Sequence, residues 1–114
     1  MKGVHYLIDY KKLTFEFLED LDKLKKIFEK TIKISKTIIL HKKFHKFKPQ
    51  GLTGIYLLSE SHLSFHTWPE KGEISIDLYT CGDSNAAQLA VDYLIDKFNK
   101  KCKDSKYKIK KLIR

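Results

Sequence analysis

The stretch from Ser59 to Glu70, Ser-Glu-Ser-His-Leu-Ser-Phe-His-Thr-Trp-Pro-Glu, and the following Tyr79-Thr80-Cys81-Gly82-Asp83 concentrate the groups a chain needs to cut itself at a serine. If a turn holds the Ser61 hydroxyl against the carbonyl of Glu60, the oxygen attacks its own preceding peptide and gives an ester by an N-to-O acyl shift. A donor must steady the developing oxyanion, and a base must then remove the Ser61 α-proton. β-Elimination releases the upstream chain and leaves a dehydroalanine end, which tautomerises and loses ammonia by hydrolysis to become a pyruvoyl group. Such a ketone, joined to an amide, condenses with a substrate amine and takes up electrons as carbon dioxide leaves, in the manner of pyridoxal phosphate. The carbanion equivalent must be protonated, and Cys81, fixed at a strand end by the Gly82-Asp83 turn, is the candidate acid.

These groups need elements to position them. Val4 to Tyr10 reads as a strand, and Phe15, Leu18, Leu21, Leu24, Ile27, Phe28 and Thr31 recur at the spacing of an amphipathic helix. Ser35 to Phe47 reads as a strand with one wet face, closed by Pro49-Gln50-Gly51. Thr53 to Leu58, His62 to Trp68 and Glu73 to Thr80 are further β-rich runs, and Lys71-Gly72 turns the chain before the last of them. Gly82-Asp83-Ser84 supplies a break and a cap for a second helix over Ala86 to Phe98, and Tyr107 to Ile113 closes the chain as a basic strand. The fold class expected is α+β, an antiparallel-rich sheet with two helices packed on one face, in the approximate order βαβββαβ. The other face is left for solvent or a partner.

The 114 residues suit a single domain spanning 1–114, too small to shield a deep pocket unaided, so a site shared between two copies is plausible. No run approaches the roughly 20 apolar residues that cross a bilayer, and the N-terminus lacks a secretion pattern. The expectation is a soluble, cytoplasmic protein with no membrane partner. Cys81 and Cys102 make no disulfide framework; both are expected to be free, Cys102 at the surface and without a role. Of the net charge of +9, residues 100–114 carry +7. That block is compatible with contacts to phosphates, but a solvated lysine-rich edge that discourages aggregation is the favoured reading, and nucleic acid is not an expected partner.

Three spaced motifs in order over about Phe44 to Asp83 carry a resemblance to the prokaryotic S-adenosylmethionine decarboxylases, pyruvoyl enzymes made as proenzymes. Glu60-Ser61-His62-Leu63 is similar to the motif that holds the scissile bond. The resemblance implies cleavage into a β chain, 1–60, and an α chain, 61–114, with the pyruvoyl cofactor generated from Ser61. It further implies that His66, in His-Thr-Trp-Pro-Glu, and Thr53, in Gly-x-Thr-Gly, assist processing, and that Cys81 is the catalytic proton donor. Phe47 resembles an aromatic that packs on the substrate's adenine, and Glu70 a carboxylate that contacts substrate. A homodimer of processed protomers with sites at the interface, and a product that donates aminopropyl groups for spermidine, are implied in the same way.

Two departures bear on substrate. Lys71-Gly72-Glu73 stands where the family continues Tyr-Gly-Tyr, and Tyr10-Lys11-Lys12 where a cysteine is expected after Gly3-Val4-His5. Relatives with this fold and processing act on arginine or ornithine, and Glu73 or Asp9 in the pocket would suit a basic side chain. A hydrolase built on Cys81 and His66 lacks an evident orienting partner. A metal cluster of His41, His45, His62, His66 and Cys81 has no structural-zinc spacing, so no metal is expected. An unprocessed basic binding or regulatory protein is the non-enzyme alternative.

Overall fold

The computed structural model describes residues 3–114. Strand β1 (Val4–Lys11) leads into a short helix α1 (Phe15–Leu18) and a long one, α2 (Leu21–Ile34). Four strands follow, β2 (Ile39–Lys46), β3 (Leu52–Leu58), β4 (Ser61–Trp68) and β5 (Glu73–Thr80), then α3 (Ser84–Lys101) and β6 (Lys106–Ile113). They form one sheet in the order β2-β3-β4-β5-β1-β6, with every neighbouring pair antiparallel. The fold class is as expected; the four strands between the long helices are the four runs read from the sequence, one more than the approximate order counted.

Alternation along the strands decides which face is covered. Tyr6, Ile8 and Tyr10 of β1, Ile74, Ile76 and Leu78 of β5, Leu63 and Phe65 of β4 and Tyr56 of β3 are buried. Leu24, Phe28 and Ile32 of α2 and Val91, Leu94 and Phe98 of α3 complete the same core. Phe28 stacks on Phe65 with centroids 4.7 Å apart, and Phe98 lies 5.0 Å from Tyr10. Removing these faces from water supplies the main driving force for the layer arrangement.

The first helix breaks where a second cap intervenes. Thr14 accepts from the Phe17 N–H to start α1, and Asp20 accepts from the Lys23 N–H at 3.0 Å to start α2. Phe15, counted in the helical stripe, is consequently exposed. The expected strand from Ser35 begins only at Ile39, since Lys36 takes a positive φ of 61° after α2. Cys102 is not a surface thiol: it caps α3 and is 93% removed from solvent in the core, its relative exposure being 7%. The basic β6 is exposed at every position, and pairs along β1 as an edge strand.

Candidate active site

Only Ser59 and Glu60 separate β3 from β4, and Leu58 pairs with Ser61, so the Glu60-Ser61 bond lies at the tip of a two-residue hairpin. Glu60 is exposed. The Ser61 Oγ, in contrast, is buried and has no hydrogen-bond partner among the described residues. A buried hydroxyl left unpaired costs folding free energy; Thr37 and Ser105 share that state, and of the three it is Ser61 that sits at the hairpin tip.

The hairpin register sets the second group. Counting back from the turn puts Thr53 opposite His66, and the Thr53 hydroxyl and His66 Nδ1 are hydrogen-bonded. Aromatic rings flank the imidazole: Trp68 at 4.3 Å and Phe47 at 5.7 Å between centroids. Phe47 is 41% exposed, a large ring free to meet a flat ligand. Glu70 is exposed in the single 3-10 turn, Pro69–Lys71, that follows β4. Thr67 has a structural duty that the motif alone did not disclose: its hydroxyl accepts from the buried Leu52 N–H at 2.9 Å. An open depression of about 390 Å³ runs from Thr53 and His66 across Ser64 and Ser75 to Asp9 and Asp77. Asp9 accepts from the Ser75 hydroxyl at 2.7 Å, and Glu73 stands opposite Trp68 at the end of the β4–β5 ladder.

Cys81 belongs to the other end of the sheet. His62 pairs with Tyr79, and continuing that register two steps brings Cys81 level with Glu60, across from the hairpin tip. The Cys81 thiol donates to the Tyr79 hydroxyl at 3.4 Å. Hydrogen bonding with Cys81, ahead of burial, holds the Tyr79 phenol above its usual range, while Arg114 opposes the shift. Gly3 leaves room for that ring, since a Cβ there would come within 2.6 Å of the Tyr79 hydroxyl. Beyond Cys81, Asp83 accepts from the Asn85 and Ala86 N–H groups at 2.9 and 3.1 Å and starts α3, as the Gly-Asp-Ser break suggested. Those donors, Ala86 first, hold the Asp83 carboxyl below its ordinary value.

The site residues therefore fall into two groups. Ser61 and Cys81 share one end of the β4–β5 pair; Thr53, His66, Trp68 and Phe47 share the other. Five steps along an extended strand separate Ser61 from His66, roughly 16 Å at the usual rise. Cys81 and His66 are likewise apart in one chain, which removes the geometry for a Cys81–His66 hydrolase. The imagined five-residue metal cluster does not form either, since His41 and His45 lie on the edge strand β2. His62 instead meets His5 and Asp77, two residues that the sequence reading did not place with it.

Comparison with known proteins bears on both groups at once. The family model described as S-adenosylmethionine decarboxylase matches residues 4–114. A relative named S-adenosylmethionine decarboxylase proenzyme from Thermococcus onnurineus is 41% identical over 95 residues, covering 83% of this chain and 67% of the relative. One of the same name from Pyrococcus furiosus is 38% identical over 99 residues, covering 87% and 71%. The crystal structure of the adenosylmethionine decarboxylase from Aquifex aeolicus superposes with a TM-score of 0.78 at 31% identity, covering 95% of this chain and 88% of that one. With nearly its whole length matched by the family and by a solved member, this chain belongs to the S-adenosylmethionine decarboxylase family.

Proposed function

We propose that this chain is a proenzyme that cuts itself between Glu60 and Ser61 and then decarboxylates S-adenosylmethionine. The observation that carries the reading is the buried, unpartnered Ser61 hydroxyl at the tip of a two-residue hairpin, beside the scissile carbonyl of Glu60. The Ser61 backbone fits the cofactor it would become, because a group at the start of β4 stays anchored by that strand's pairing with both β3 and β5. The pyruvoyl group supplies the electron sink that decarboxylation of an amino acid needs.

The chain's own side chains divide the remaining tasks. Cys81, level with the hairpin tip, delivers the proton to the product, and Tyr79 holds its thiol in place. His66, oriented by Thr53, assists processing by moving a proton at the serine or by stabilising the oxyanion. Phe47 offers its face to the adenine, and Glu70 a carboxylate to the substrate.

A single copy leaves His66 roughly 16 Å of strand away from Ser61. A homodimer that packs the uncovered sheet faces together, one copy's Thr53–His66 pair over the other's hairpin tip and Cys81, makes each site from two protomers. Ile55 and Leu57 on that face are 47% and 52% exposed, apolar surface of the kind that marks an interface. Family membership favours S-adenosylmethionine over arginine or ornithine. Asp9, already accepting from Ser75 and facing Lys108 across the β1–β6 pair, gives no separate support for a basic side chain as substrate. No helix among the described residues is long and apolar enough to cross a membrane. A role in feeding spermidine synthesis is what family membership supports.

The test is an intact mass of the purified protein, then carbon dioxide release from S-adenosylmethionine, ornithine and arginine in parallel. Pieces 1–60 and 61–114, the second lighter than a serine-ended peptide by one ammonia, are expected, with release from S-adenosylmethionine. Ser61→Ala should stay whole and inactive, and Cys81→Ser should cleave yet turn over slowly. An intact, inactive wild-type chain would instead point to a binding or regulatory protein.

A further inference from the structure

At the hairpin end of the uncovered face, three strands bring two imidazoles onto one carboxylate oxygen. His5 of β1 and Asp77 of β5 are hydrogen-bonded through Nε2 and Oδ1, and the Nε2 of His62 on β4 lies 3.5 Å from the same Oδ1. All three donor atoms lie within 4.8 Å of one another. Each residue is half-buried, so an ion could reach them and would still be partly shielded from water. We propose that His5, His62 and Asp77 form a binding site for a first-row divalent cation of the zinc type.

The ligand chemistry favours this class. Two neutral imidazoles and one carboxylate are the donor set that zinc and cobalt accept, with a fourth position left for water, whereas calcium and magnesium ask for oxygen donors throughout. Donors about 2.0–2.2 Å from a tetrahedral ion stand roughly 3.4 Å from one another. The His62–Asp77 spacing of 3.5 Å already meets that, and the His5–Asp77 contact has only to open as the ion replaces the proton between them. The rings are held from behind: Tyr79 packs edge-on to His5 at 5.5 Å and lies 6.1 Å from His62. One group opposes the ion. The Arg114 guanidinium lies 3.4 Å from His5 Nδ1 and uses the lone pair of that nitrogen, which keeps the proton on Nε2. Binding must therefore shift the His5 proton to Nδ1 and displace Arg114, an exposed terminal side chain.

An ion here would tie β1 to β4 and β5 one residue beyond Ser61. It would join His5, upstream of the proposed cut, to His62 and Asp77, downstream of it. The site needs neither processing nor turnover, so the uncleaved Ser61→Ala chain should bind as the wild type does, and failure of the decarboxylase reading would leave it untouched.

The experiment is calorimetric titration of zinc chloride into the full-length wild-type and Ser61→Ala proteins, repeated with His5→Gln, Asp77→Asn and Arg114→Gln. One equivalent should bind and raise the melting temperature. Loss of a ligand in His5→Gln or Asp77→Asn should weaken binding by at least the roughly tenfold that outer-sphere substitutions already cost. Arg114→Gln should bind as tightly or more so. In the wild type, the imidazole NMR resonances of His5 and His62 should shift and those of His41 and His45 should not, a readout that does not depend on any variant folding. No binding, binding unchanged in both ligand variants, weaker binding in Arg114→Gln, or a cobalt spectrum with a thiolate charge-transfer band from Cys81 or Cys102 would each overturn the assignment.

Discussion

Gly54→Ala should be among the most damaging single-methyl additions in this chain. A Cβ at position 54 would stand 2.4 Å from Phe65 Cε1 and 2.7 Å from Phe44 Cδ1, where carbon atoms normally rest about 3.5–4.0 Å apart. At least one ring must therefore move by about 1 Å. Phe65 has little room, being buried and stacked on Phe28, and Phe44 is pinned against the Tyr56 ring at 5.4 Å. Overpacking of this kind costs about 1–3 kcal/mol. For a domain of this size that corresponds to a fall in melting temperature of roughly 4–12 °C. The assay is thermal unfolding by circular dichroism in a Ser61→Ala background, so that every sample is one intact chain. Gly82→Ala is the internal control: its Cβ meets only the Thr80 hydroxyl, at an ordinary 3.7 Å, and should melt with the parent. In the self-cleaving background, Gly54→Ala should also slow processing, since Phe65 and Thr53 are the chain neighbours of His66 and Gly54. Equal melting temperatures for the two alanine variants would refute the claim that ring packing over β3 dictates this glycine.

Thr67→Val leaves the buried Leu52 N–H without its acceptor and should cost about 1–3 kcal/mol in urea unfolding, whereas Thr67→Ser, which keeps the hydroxyl, should recover most of it. The two proposed pieces should stay together after cleavage, because β1 of the first lies between β5 and β6 of the second and β3 pairs with β4; native mass spectrometry should find both in one particle, separating only in denaturant. The depressed Asp83 carboxyl adds stability that is complete above its ordinary value of 3.8 and is lost as pH falls through the lower folded value. The fall in melting temperature across that range should be smaller for Asp83→Asn, which caps α3 without titrating, than for the parent, and an unchanged acid sensitivity would remove the cap from the explanation.

Much of the site was legible because it is local. Once Ser59-Glu60 is a two-residue turn, antiparallel pairing alone sets Thr53 against His66, and period-two alternation puts His62 and His66 on one face. The motif spacing thus encodes a register, and the cap at Asp83 is legible from the same short-range rules. The break between α1 and α2 was not, as the apolar stripe runs through it while the Asp20 cap competes locally. Cys102 looked like a surface residue among lysines, but the closing turn of α3 carries its side chain into the core. Strand order is the larger gap. Nothing in the local pattern says that β1 inserts between β5 and β6, for that choice is made by burying both helices' stripes on one sheet face at once. That insertion alone carries His5 across the chain to Asp77 and His62. By itself the sequence marked the Glu60-Ser61 break between two strands and, given a two-residue turn there, the pairing of Thr53 with His66. Only the tertiary structure decided that Ser61 and His66 stand at opposite ends of a strand and, five steps apart, on opposite faces of the sheet, since alternation sets the face of a side chain and the rise per residue sets its distance.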